Sequence, residues 1–223
     1  MASLTSVNGT RIEVGRLTVD WAVAQRALPG EAQSGDAHLV AEHPEGVLLA
    51  VVDGLGHGGP ATTAAELAIQ VLREEPGESV ISLVQRCHAR LRDTRGAVMS
   101  LASLSESDST LTWIGVGNVE ATVVRSGIAP SGNGPPREDI LLRPGLVGYQ
   151  LSSLRALMIP VAPGDVIAFA TDGVQNSFKE EAAAHLPPQA CADRILAQFV
   201  KPNDDALVLV ARIVQTAESS TPG

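Results

Sequence analysis

A chain of 223 residues is long enough to bury one sizeable core, and 44% hydrophobic with 18% charged residues is the composition of a globular protein, not a disordered or fibrous one. A net charge of −9 excludes the broad positive field that would hold nucleic acid or an anionic membrane. No stretch reaches the roughly 20 apolar residues of a membrane span.

The segment Met1 to Gly15 has neither a basic region followed by an apolar run nor a small-residue cleavage site, so a cytoplasmic protein is expected. Short runs of Val, Leu, Ile and Ala bounded by Gly, Pro, Asp or Ser then predict strands over Leu17–Ala24 and Val47–Val52. Two helical patterns follow. Ala64, Leu67, Ala68, Val71 and Leu72 share a face within Pro60–Glu74, and Val80, Leu83, Val84, Cys87 and Leu91 share one within Ser79–Asp93, with Pro76-Gly77 between them.

Further strands are predicted over Ala97–Leu104, Leu111–Gly117 and Ala121–Arg125, then a Gly-, Pro- and Ser-rich loop over Ser126–Pro136 and a strand over Val166–Thr171. Pro187-Pro188 opens a helix over Gln189–Val200, a last strand covers Ala206–Val214, and a polar tail runs from Ala217 to Gly223. Most successive strands are too close together for parallel crossovers. The order therefore predicts an α+β protein with largely antiparallel sheet, one domain over residues 1–223 with its core at about 17–214. Trp21 and Trp113 fall in strand patterns and read as core. The two cysteines, Cys87 and Cys191, have no partners at zinc-ligand spacing and read as reduced structural thiols.

The aspartates carry the chemical signal. Asp53 ends the run Leu48-Leu49-Ala50-Val51-Val52, Asp172 ends Val166-Ile167-Ala168-Phe169-Ala170-Thr171, and Asp204-Asp205 opens Ala206-Leu207-Val208-Leu209-Val210. Asp36 lies in Ser34-Gly35-Asp36-Ala37-His38. A lone carboxylate beside so many apolar residues is costly to bury, whereas several at strand ends can converge and share divalent cations. Hard oxygen donors without His or Cys suit Mg²⁺ or Mn²⁺. Glycine follows at once in Asp53-Gly54 and Asp172-Gly173, where it is expected to allow a sharp turn and to expose a carbonyl. The stretch Asp53-Gly54-Leu55-Gly56-His57-Gly58-Gly59-Pro60 passes from strand through a glycine-rich turn into a helix, but it lacks the spacing and the lysine of a nucleotide-binding loop.

These motifs, Asp53-Gly54-Leu55-Gly56-His57-Gly58, Ala170-Thr171-Asp172-Gly173-Val174 and Asp204-Asp205-Ala206, resemble those of the 2C-type metal-dependent Ser/Thr phosphatases, the PPM family, in its bacterial sporulation and stress-response branch. The resemblance implies a four-layer αββα sandwich and two Mn²⁺ or Mg²⁺ ions at one edge of it. It implies that Asp53 bridges the ions, that the Gly54 carbonyl ligates one, that Asp172 and Asp204 hold the other, and that Asp36 orients water bound there. Activated water would then attack phosphorus in line, with no phosphoenzyme. His57, Asp205 and Asn118 are expected just outside the ligand set. The implied substrates are phosphorylated regulatory proteins of a stress-signalling complex, the stressosome scaffold proteins among them, met by a monomer.

Three positions depart from the family pattern. Glu31 stands where many members have a phosphate-gripping arginine, Asn118 in Gly117-Asn118-Val119-Glu120 replaces an aspartate that supports a third metal, and Leu207 replaces a threonine. Glu31 would repel phosphate unless it points away or other groups bind the substrate, and Asn118 should weaken a third ion. His38, His43, Ser34, Asp108, Arg11, Arg16 and Arg26 read as ordinary strand, turn or surface residues. The competing reading is a binding module that keeps the fold and recognises a partner with little or no hydrolysis. A calcium-binding protein is disfavoured by the absence of clustered D-x-D-x-D-G spacing.

Overall fold

The computed structural model describes residues 4–127 and 136–215. The loop expected over Ser126–Pro136 lies mostly outside these residues, and the tail from Ala217 lies wholly outside them. In chain order the elements are β1 (Leu4–Val14), β2 (Leu17–Arg26), β3 (Asp36–His43), β4 (Gly46–Gly54), α1 (Gly59–Glu74), α2 (Val80–Arg90), β5 (Ala97–Ser105), β6 (Thr110–Val116) and β7 (Glu120–Val124). Then come β8 (Arg137–Asp139), the two-residue strands β9 (Gly145–Leu146) and β10 (Gln150–Leu151), β11 (Leu157–Pro160), β12 (Val166–Ala170), α3 (Phe178–Glu181), α4 (Pro188–Phe199) and β13 (Ala206–Gln215).

Among the described residues two large antiparallel sheets form, one in the order β1-β2-β13-β12-β7-β8 and the other in the order β11-β6-β5-β4-β3, beside a two-stranded ribbon of β9 and β10. Their central strands are apolar throughout because both faces are covered. On β4, Val47, Leu49 and Val51 point into the core between the sheets, while Leu48, Ala50 and Val52 pack under α1 and α2. On β13, Leu207, Leu209, Ala211 and Ile213 face the same inter-sheet core, and Ala206, Val208 and Val210 face α3 and α4. The three cores stack as an αββα sandwich, as the resemblance implies. Trp113 of β6 and Phe169 of β12 meet across the middle with ring centroids 4.8 Å apart. Trp21 is only half-buried, against His38 at 5.9 Å.

The helices follow the expected faces with shifted ends. Ser79 caps α2 by accepting from the Ser82 amide at 3.1 Å. The helix ends near Leu91 and not at Asp93, because the Thr94 hydroxyl takes the Leu91 carbonyl at 2.7 Å and turns the chain. The strands β1 and β3 were not expected. Both are edge strands with mixed polar sequence, LTSVNGTRIEV and DAHLVAEH, so neither carries the continuous apolar run that marks the interior strands. Short β8 to β11 and the single-turn α3 likewise lack a periodic signal.

Candidate metal centre

Antiparallel pairing brings the acidic strand ends together. β3 starts where β4 finishes, which sets Asp36 directly opposite Asp53 in register. In the other sheet β12 finishes where β13 starts, so Asp172 lies beside Asp204 and Asp205. The two pairs of ends face each other at one edge of the sandwich. The Thr171 hydroxyl crosses between the sheets and donates to Asp36 Oδ2 at 2.7 Å. Asp205 is buried and ties down the connection between β2 and β3, its Oδ1 accepting from the Leu28 amide at 2.8 Å and its Oδ2 from the Gly35 amide at 2.9 Å. Asn118, on the turn between β6 and β7, donates from Nδ2 to Asp172 Oδ2 at 2.7 Å, so the side chain acts through its amide nitrogen. Leu207 lies in the inter-sheet core, and its backbone N–H is held by the Thr171 hydroxyl at 2.9 Å.

The carboxyls disturb one another. Burial first, then repulsion from Asp172, Asp204 and Asp205, pushes the Asp53 carboxyl up to about 8, and among the described residues no hydrogen-bond donor offsets this. Burial and the neighbouring Asp53 hold Asp36 well above the usual carboxylate range despite the Thr171 hydroxyl. Asp204 is raised by burial and by Asp172, against which the Asp205 amide and Lys201 act. Among the described residues no three His, Cys, Asp or Glu side chains close into a ready ligand cage. The arrangement is an open cluster of oxygen donors, one of them half-buried and without a hydrogen-bond donor among the described residues, and its uncompensated charge and hard donor set fit divalent Mg²⁺ or Mn²⁺.

Gly173 lies in the sharp turn expected of it, the Val174 amide donating to the Thr171 carbonyl at 3.0 Å, whereas Gly54 still belongs to β4, and at both positions a close approach adds a second demand for glycine. Neither has a positive φ. A Cβ on Gly54 would lie 2.1 Å from the Ala61 carbonyl oxygen, and one on Gly173 would lie 1.7 Å from that of Asp205. Backbone meets backbone at both places, which leaves no room for a side chain. The Gly173 carbonyl is itself taken by the Lys201 amide at 2.8 Å.

Glu31 turns toward the glycine loop, and its Oε1 lies 2.9 Å from His57 Nδ1. It lines a cleft of about 600 Å³ with Leu28, Ser34, Asp36, Thr62 and Glu66. This cleft adjoins the acidic cluster only through Asp36. The structure thus brings Asp36, Asp53, Gly54, Asp172, Asp204, Asp205 and Asn118 to one edge and sets His57 and Glu31 as a pair on its rim. His38 and His43 are strand residues of β3, and Arg11 pairs with Asp20 at 2.7 Å. Thr171 and Lys201 had been given no role. Thr171 is a lone hydroxyl ending an apolar strand, a signal visible in the sequence, while Lys201 donates to the Asp172 carbonyl through a contact that only the fold creates.

Replacing Asp205 tests its placement. Asp205→Ala strands two amides and should lower stability by about 2–4 kcal/mol in urea unfolding. Asp205→Asn should cost less, and should spare divalent-cation affinity more than Asp204→Asn does. A loss under about 0.5 kcal/mol for Asp205→Ala would show that the β2–β3 connection is held elsewhere.

A two-sheet sandwich with helices on both faces and an acidic edge fed by both sheets defines the fold of the 2C-type phosphatases. Residues 43–214 match the family model for stage II sporulation protein E (SpoIIE), and the chain belongs to that family. The phosphoserine phosphatase RsbX of Bacillus subtilis (strain 168) is 28% identical over 90 residues, 40% of this chain and 45% of that protein, so the match spans less than half of the curated relative. Among solved structures, a chain from "The bacterial stressosome: a modular system that has been adapted to control secondary messenger signaling" superposes with a TM-score of 0.78 at 29% identity, over 87% of this chain and 99% of that one. RsbX in complex with magnesium gives 0.75 at 19% identity, over 96% and 100%, and the Mycobacterium tuberculosis serine/threonine phosphatase PstP gives 0.64 at 16%, over 89% and 99%.

Proposed function

We propose that this chain is a single-domain, cytoplasmic protein phosphatase that removes phosphate from serine or threonine of bacterial stress-signalling regulators, acting as a monomer, with stressosome scaffold proteins as its substrates. The observation that carries this reading is the meeting of Asp36, Asp53, Asp172 and Asp204 from two sheets at one edge, with Asp53 half-buried and given no hydrogen-bond donor by the described residues. The RsbX relative and the stressosome-derived neighbour point to the substrate class.

In this reading Asp53, the Gly54 carbonyl, Asp172 and Asp204 hold two Mn²⁺ or Mg²⁺ ions. Such ions, when bound, activate water and neutralise charge on the phosphoryl oxygens. The chain's own groups set the stage for them. Thr171 holds one oxygen of Asp36, and no described residue donates to the other, which can accept from water, while Asn118 fixes the orientation of Asp172. Lys201 offsets part of the charge at Asp204. Release of phosphate from phosphorylated scaffold proteins, with and without Mn²⁺, tests the assignment: metal-dependent release is expected.

The second reading, a binding module with little or no hydrolysis, is favoured by Glu31 and Asn118 standing where relatives carry a phosphate-gripping arginine and an aspartate. Binding of the phosphoprotein without release would select it.

The Glu31–His57 pair sets a specificity prediction. With an anionic rim and a net charge of −9, p-nitrophenyl phosphate should be a poor substrate, and kcat/KM should favour a folded phosphoprotein by two or more orders of magnitude. Glu31→Arg should lower the KM for p-nitrophenyl phosphate about tenfold, since it replaces repulsion with a charge-assisted bond. An unchanged KM would mean that the rim does not meet the phosphate.

A further inference from the structure

The replacement at Glu31 leaves the acidic edge without a cation from the β2–β3 connection, yet a phosphate monoester brings two negative charges to it. Lys201 is already committed to the Asp172 carbonyl. Arg95, on the turn between α2 and β5, is not committed. It is exposed and has no hydrogen bond or ion pair among the described residues.

Its position is nonetheless fixed by the backbone. The Leu55 amide donates to the Gly96 carbonyl at 3.0 Å, and Ala97 pairs in register with Gly54, so residues 95–97 lie alongside 54–56. Arg95 Nη1 lies only 2.7 Å from where a Cβ on Gly56 would be, at a φ of +93° that already favours glycine. The guanidinium therefore rests on the motif loop itself. Gly56 is at most ~7 Å of chain from Gly54 and ~11 Å from Asp53, which keeps the fork at the border of the carboxylate cluster without pairing it to any carboxylate.

We propose that Arg95 binds the phosphoryl oxygens of the substrate, supplying from the α2–β5 turn the grip that Glu31 cannot give. This rests on the phosphatase reading above. The chemistry suits a phosphate: a planar guanidinium is always charged and offers parallel N–H donors to two oxygens at once. A guanidinium already held by carboxylates would have to break those pairs first, and Arg95 has none to break. The Glu31 carboxylate, bonded to His57, need not compete for it.

Calorimetric titration of the full chain with inorganic phosphate, in buffer saturating in Mg²⁺, tests the assignment independently of turnover. Arg95→Ala should weaken phosphate at least tenfold and Arg95→Lys by a smaller factor, because the lysine keeps the charge and loses the fork. Arg92→Ala, which removes an exposed arginine from the same turn, should leave phosphate affinity unchanged, and Mg²⁺ affinity should be the same in all four proteins. Equal phosphate affinity in wild type and Arg95→Ala overturns the proposal, as does equal weakening by Arg92→Ala or no measurable phosphate binding by the wild type. Turnover of a phosphoserine peptide is read separately. Its absence in the wild type would sink the phosphatase reading, while the phosphate titration would still decide the role of Arg95.

Discussion

Asp53→Asn should abolish phosphate release, by a factor of about 10³ or more, and remove tight Mn²⁺ binding while leaving a soluble, folded chain. The side chain is half-buried at the end of β4 and is repelled by Asp172, Asp204 and Asp205, so the amide relieves repulsion as it removes the ligand. The sign of the accompanying pH effect follows from the raised carboxyl. Its value of about 8 in the folded chain lies far above the ~3.9 of an unfolded aspartate. Between those values the folded state binds more protons than the unfolded one, so stability in chelator is fullest below about pH 4 and declines as pH rises toward 8. The melting temperature of the chelated wild type should fall by about 5 °C or more from pH 5 to pH 8. In Asp53→Asn that slope should flatten, and at pH 8 the variant should melt higher than the wild type. Equal Mn²⁺ binding by the two proteins would overturn the ligand assignment.

Gly173→Ala should be among the most damaging single-methyl changes in the chain. The added carbon would lie 1.7 Å from the Asp205 carbonyl oxygen and 2.7 Å from its carbon, both main-chain atoms with no rotamer to yield. Separating those backbones parts Asp172 from Asp204 and pulls on the Asp205 bonds to Leu28 and Gly35. A loss of about 3–5 kcal/mol is expected, with a melting temperature lower by ~10 °C and weakened divalent-cation binding. Gly59→Ala is the matched control. A Cβ there meets nothing within 4 Å, and alanine suits the first turn of α1, so the change should be neutral or slightly stabilising. If both variants unfold alike, the close approach at Gly173 is not what requires glycine.

The parts of this molecule legible in its sequence are those with local causes. Interior strands buried on both faces read as apolar runs, and the helices read from their apolar stripes and from Pro60 and the prolines at 187 and 188. The aspartates stand out because each breaks or borders such a run. Contacts made at long range were not legible. Thr171 reaches Asp36 across 135 positions and Asp205 reaches Gly35 across 170, and no local pattern encodes either. Gly54 and Gly173 are recognisable as necessary, and Gly173 does lie in a turn, but the close approach at both is not legible, since crowding by another segment leaves no trace in the residues beside them. Arg95 looks like any surface arginine until the pairing of β4 with β5 sets it on the glycine loop.

The division of the acidic edge between the two sheets has a mechanical meaning. At their middle the sheets are clasped by an apolar interior, with Trp113 against Phe169, but at this one end the opposed surfaces carry like charge and are latched by Thr171 and Asp205. The sandwich is therefore a clam shell under repulsion at its latched lip, held most firmly when that charge is neutralised. Any ligand that neutralises the lip also stiffens the shell, so its binding energy and the rigidity it confers are two readings of the same work.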